Sequence, residues 1–103
     1  MDIKIPKTVM IDGRSWKVKL NPKDSGGWFS AGKSTISVGT FSGMEHAWNI
    51  FLHECAEAVA TMLWFRYQKA KDVQGNGDYM FVMNHDQFEI FINQFSVAIR
   101  GNQ

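Results

Sequence analysis

Cysteine and proline are scarce: one Cys and two Pro stand among 103 residues. A lone Cys55 forms no internal disulfide, so no covalent staple holds the chain. An excess of charge of one sign is also missing. Eleven basic residues nearly balance ten acidic ones, which leaves no strong field to gather nucleic acid or an anionic membrane. Long apolar runs are absent as well. The opening MDIKIPKTVM lacks the unbroken apolar stretch of a signal peptide. The most apolar region, residues 44 to 67, carries Glu45, His46, Asn49, His53, Glu54, Glu57 and Arg66, too many polar groups for a bilayer span. These absences point to a protein of the reducing cytoplasm that binds neither nucleic acid nor membrane.

What is present is a folded composition, 45% hydrophobic and 14% aromatic, unlike that of a disordered tail. Domains commonly run ~100–150 residues, so residues 1 to 103 are expected to form one domain. A domain this small is marginally stable, and a bound metal contributes to folding because the unfolded chain offers it no formed site.

In the N-terminal half, Asp12-Gly13 separates two β-rich runs, and Trp16, Val18 and Leu20 alternate with lysines, which predicts a hairpin. After the turn-forming stretch Asn21 to Gly27, WFSA and STISV flank Gly32-Lys33 as a second pair of strands. The expectation is a small antiparallel sheet. From Ser42 the period becomes helical: Ala47, Ile50, Phe51, Ala58, Met62 and Phe65 share a side, with Ser42 as N-cap and Glu45 at the third helical position. The spacing predicts a helix over about 43 to 69. KAKDVQGNGD reads as a loop and YMFVMN as a strand or extended lead-in. A second helix follows, striped by Phe88, Phe91, Ile92, Phe95 and Ile99 and stopped near Gly101. The predicted class is α+β, a small antiparallel sheet packed on two helices.

The chemistry concentrates in Leu52-His53-Glu54-Cys55-Ala56-Glu57-Ala58. His53 and Glu57, four apart, project from one helix face and can share one zinc ion. Glu54 lies about 100° round the helix from His53 and reaches a metal-bound water rather than the metal, the division of labour of HExxH helices. A catalytic zinc takes three protein ligands and keeps a fourth position open. His85, at the start of the second helix, is the best candidate for the third. The string HExxE fixes only three positions and is weak alone. Its force comes from apolar neighbours, Phe51-Leu52 before and Ala58-Val59-Ala60 after, among which two acids and a histidine need a reason.

FLHECAEAV followed by YMFVMNHDQFEIF resembles the minimal zincin-like proteins of phages and prophages, which pair an LHExxEA helix with a later histidine-bearing helix. The likeness runs from the second hairpin to about residue 99. It implies a zincin-like fold, zinc ligands His53, Glu57 and His85, Glu54 as catalytic base, and a phage-encoded metalloprotease-type hydrolase acting on a peptide or protein in a bacterial cytoplasm. It also implies that the ISV strand before the active helix is the edge strand that pairs with substrate. Glu57 stands where HExxH peptidases have a second histidine. The rival from another class is a non-catalytic phage accessory or assembly protein with a structural metal.

Gly27 to Ser34 fits GxxxxGK[ST] letter by letter, but it precedes the β-branched TISVGT rather than opening a helix, so Gly32-Lys33 is read as a hairpin turn. His85 and Glu89 repeat the spacing of His53 and Glu57, which admits a two-metal arrangement, a second-shell role for Glu89 behind His85, or a solvated pair. His46, seven residues before His53, shares roughly its face and is a possible fourth ligand or cleft lining. Tyr79 is a possible oxyanion donor, and Cys55 is expected to be a buried structural thiol.

Overall fold

The computed structural model describes residues 3–63, 66–68, 79–81 and 83–100, with the side chains of 66–68, 79 and 80 outside the description. Strands β1 (Thr8–Ile11) and β2 (Arg14–Asn21) form the expected antiparallel hairpin, with Val9 opposite Trp16. Asp12 and Gly13 both adopt positive φ, 53° and 73°, the pair of left-handed residues that an Asp-Gly hairpin turn requires. β3 (Gly27–Ser30) and β4 (Thr35–Gly39) form the second antiparallel hairpin. Ala31 to Ser34 close it, with Ser34 N donating to the Ala31 carbonyl at 3.3 Å. The GxxxxGKS string is thus β3 and the turn that leads into β4, not a phosphate loop.

The sheet is mixed, which corrects the antiparallel expectation. Its order is β1-β2-β4-β3, and β2 pairs in parallel with β4. The physical reason is the composition of TISVG. All five of its residues are buried, and a strand covered on both faces belongs at the centre of a sheet rather than its edge. The turn after β2 is long enough to let β3 pass outward and β4 fill the gap. Asn21 and Asp24 hold it in place, accepting from Thr40 N and Phe41 N at 3.0 Å each. The ISV strand is therefore internal, and β3 is the edge strand beside it.

Helix α1 (Met44–Met62) lies on this sheet and buries Ala47, Phe51, Cys55, Ala58 and Val59 against Val9, Ile11, Trp16, Val18, Ile36 and Val38. Its N-cap is Gly43, at φ 97°, without a side-chain cap, rather than Ser42. A left-handed turn at that point is open to glycine and strained for serine. The helix also ends seven residues earlier than expected, capped by Leu63, and Arg66–Gln68 form β5, antiparallel to β6 (Tyr79–Phe81). The sequence there, Trp64-Phe65-Arg66-Tyr67, is rich in aromatics that favour strands, and pairing with YMF overrides the continued helical period. Phe65, the loop KAKDVQGNGD and Gly101 lie outside the described residues.

The second helix, α2 (His85–Arg100), packs on β1 and α1. Only part of its predicted stripe turns inward. Ala98 is buried and Phe91, Phe95 and Ile99 pack on the core, whereas Phe88 and Ile92 are 49% and 43% exposed. Among the described residues, no helix is long and apolar enough to cross a membrane.

Gly27 sets how closely α1 approaches the sheet. A Cβ there would fall 2.5 Å from Ile50 Cγ2, 2.8 Å from the Ser37 carbonyl oxygen and 3.3 Å from Glu54 Cγ. Gly32, in the turn, has nothing within 4 Å. Gly27→Ala is expected to lower unfolding free energy by ~1–3 kcal/mol in denaturant titrations, the usual cost of overpacking, while Gly32→Ala changes it little. Equal effects at the two positions would contradict this account of the helix seat.

Candidate metal centre

Successive residues of a helix turn by about 100°, so the face that seats Phe51, Cys55 and Ala58 on the sheet carries His53 and Glu57 to the far edge. His53 Nε2 lies 2.6 Å from Glu57 Oε2, with the His53 side chain 67% exposed and that of Glu57 20% exposed. Glu54 sits between the two environments. It is only 8% exposed and its Cγ lies over Gly27 of β3. The nitrogen of His53 and the carboxylate oxygens of Glu54 and Glu57 all fall within 4.8 Å of one another. One imidazole nitrogen and two carboxylate oxygens within such a radius could hold a metal ion.

His85 is placed in a second group. It lies with Asp86 and Glu89, whose donor atoms are likewise within 4.8 Å of one another. All three of these residues are exposed, and His85 Nδ1 stands 3.7 Å from Glu89 Oε1. A solvated pair of that kind contributes little to stability. The structure thus brings together His53, Glu54 and Glu57, and gives His85 neighbours of its own. Position matters more than proximity here. Asn84 and Gln87 form a reciprocal cap, Gln87 N donating to Asn84 Oδ1 at 2.9 Å and Asn84 N to Gln87 Oε1 at 2.8 Å. That box fixes His85 as the first residue of α2. The apolar stripe hid it in the sequence, although Asn-x-x-Gln before an apolar helix was a readable signal. Asp86, adjacent to His85, was the third donor of the group that sequence reasoning passed over.

His46 is committed elsewhere. Its Nε2 donates to the Ser25 carbonyl at 3.1 Å, pinning the first turn of α1 to the loop that precedes β3. Two helical turns, ~10.5 Å of rise, separate it from His53. The backbone of Tyr79 pairs with Gln68 in β6, and its side chain lies outside the described residues.

Beside the His53–Glu57 pair opens a cleft of about 330 Å³ walled by Ala56, Phe81, Met83 and Phe91. Strand β6 supplies Phe81, the segment between it and α2 supplies Met83, and α2 supplies Phe91. Cys55 faces the opposite way, fully buried. Burial first, and the neighbouring Glu54 carboxylate second, push its thiol up to about 12. It stays protonated at neutral pH and is neither nucleophile nor ready ligand. No family model, curated protein or solved structure matches this chain.

Because the thiolate is the reactive form, Cys55 in the native protein is expected to resist alkylation by iodoacetamide at pH 8. Denaturant should release it to the rate of an ordinary thiol. Rapid native labelling would show that the inner face of α1 is not closed as described.

Proposed function

We propose that the chain is a zinc-dependent hydrolase of the metallopeptidase type, acting on a peptide or protein in the cytoplasm of a phage's bacterial host. The observation that supports it is the division of one helix turn. His53 and Glu57 meet at 2.6 Å on the open side beside an apolar cleft, and Glu54 is held against the sheet 8% exposed. His53 Nε2 and a Glu57 carboxylate oxygen are the first two ligands. His85 is the third: it follows Met83, a wall of the cleft, by two residues, a separation that extended chain spans in ~7 Å. To serve, it must turn from its present neighbours Asp86 and Glu89.

Zinc bound there supplies a water acidified to a pKa of ~7 and a Lewis acid for a carbonyl. The chain's own part is proton handling and orientation. Glu54 accepts the proton on a carboxylate oxygen and delivers it to the leaving amine. Its Cγ is lodged over Gly27, and a carboxylate oxygen lies within 4.8 Å of the His53 and Glu57 donors, within reach of a water held by their metal. The rival, an accessory or assembly protein whose metal serves structure alone, shares the ligands but gives Glu54 no task.

After dialysis against zinc and then buffer, atomic emission is expected to find one zinc per chain. His53→Ala should bring that toward zero and His85→Ala should lower it. Glu54→Gln should retain zinc yet reduce hydrolysis of unfolded casein ~100-fold or more, the usual weight of a general base. Zinc content indifferent to His53 would overturn the metal site. Zinc lost with Glu54→Gln would make Glu54 a ligand, and wild-type protein that binds zinc, gains stability and cleaves nothing would favour the structural rival.

A further inference from the structure

The cleft beside His53 and Glu57 is polar at one end only. His53 and Glu57 form that end, and Ala56, Phe81, Met83 and Phe91 form the rest. Its volume of about 330 Å³ stands at the lower limit of the ~300–1,000 Å³ typical of ligand clefts. That is room for one large side chain with part of its backbone, not for a whole cofactor.

The walls are built to keep that shape. The ring of Phe91 stacks on Phe95 at 5.9 Å between centroids and 14° between planes, and both rings pack on the core. Phe81, on β6, is 48% exposed, so an apolar occupant would cover a ring that water now touches. A charged group lodged among Ala56, Phe81, Met83 and Phe91 would find no partner of opposite charge on those walls, and burying it against them is costly.

From this cleft we infer that the site takes peptides with a bulky apolar side chain, of leucine to phenylalanine size, next to the reacting carbonyl. The inference rests on the peptidase reading above. It assigns specificity to Phe81, Met83 and Phe91, which touch that side chain and take no part in proton transfer.

The test uses zinc-loaded Glu54→Gln protein, which holds the ligands but lacks the base, titrated calorimetrically with three peptides. Acetyl-Ala-Ala-Ala-Leu-Ala-Ala-amide carries the apolar residue; the other two replace Leu by Asp or by Lys. In parallel, wild-type protein is given a random hexapeptide mixture and the cut positions are mapped by mass spectrometry. Leu is expected to bind at least ~10-fold more tightly than Asp or Lys, the scale of discrimination an apolar pocket achieves. Cuts should cluster beside Leu, Met and Phe. Phe81→Ala and Met83→Asp, at positions outside the buried core, should reduce the preference to threefold or less while zinc content stays at one per chain. Equal binding of all three peptides, or tighter binding of Lys through Glu57, overturns the inference. Cuts that depend on Glu54 but ignore the neighbouring side chain leave the peptidase reading standing and remove this one. Absence of any Glu54-dependent cut removes both.

Discussion

Between Gly27 of β3 and the face of α1 formed by Ile50 and Glu54 there is no room for one added carbon atom. That contact fixes how deep the helix sits and how it is rotated about its axis. Rotation is the variable on which the candidate site depends. In the sequence His53-Glu54-Cys55, one step of the helix separates a residue in solvent, one at the sheet and one in the core. Turning α1 by a single step would bury the imidazole and expose the thiol. The apolar residues Ala47, Phe51, Ala58 and Val59 hold the rotation from one side, and the glycine holds it from the other.

The same seat separates two kinds of group that are easily confused in a string of letters. Cys55, adjacent to the acid and two residues from the histidine, has the elements of a metal ligand, but its burial keeps it protonated and turned inward. Glu57, one helical turn beyond His53, keeps enough exposure to meet the imidazole at 2.6 Å. The open side is completed by pieces from the other end of the chain. β6 brings Phe81, and α2, whose first residue is set by the Asn84–Gln87 cap, brings Phe91. A helix with a polar edge becomes a cleft only when that second layer is in place.

Local chemistry made much of this legible in advance. Asp12-Gly13 announced its turn because few residue pairs accept two positive φ angles. The hairpin around Gly32-Lys33 followed from β-branched residues where a phosphate loop needs a helix. The spacing of His53, Glu54 and Glu57 was enough to place three polar groups around one turn, and the apolar context of Cys55 marked it as internal. Long-range choices were not legible. The parallel pairing of β2 with β4 depends on which strand can be covered on both faces, and alternation within a strand does not report its neighbour. α1 stops at Met62 because distant residues 79–81 offer the following segment a partner. α2's stripe was read about its own axis, yet its inward face is chosen by β1 and α1, which leaves Phe88 and Ile92 outside and gives His85 the company of Asp86 and Glu89. Gly27 was visible only as part of a misleading motif, since a glycine's value to a neighbouring helix has no signature in sequence.

The zincin-like reading and the chemistry proposed with it therefore rest on one helix turn and its surroundings rather than on the architecture of the described residues, a four-stranded mixed sheet, a two-stranded sheet and two helices. Zinc-edge X-ray absorption of the loaded protein addresses that turn most directly. A first shell of nitrogen and oxygen at ~2.0–2.1 Å, with the outer-shell scattering of imidazole and no sulfur at ~2.3 Å, is the predicted result, and the imidazole signal should weaken in His53→Ala. A sulfur scatterer from Cys55, or a shell without imidazole, would contradict the account.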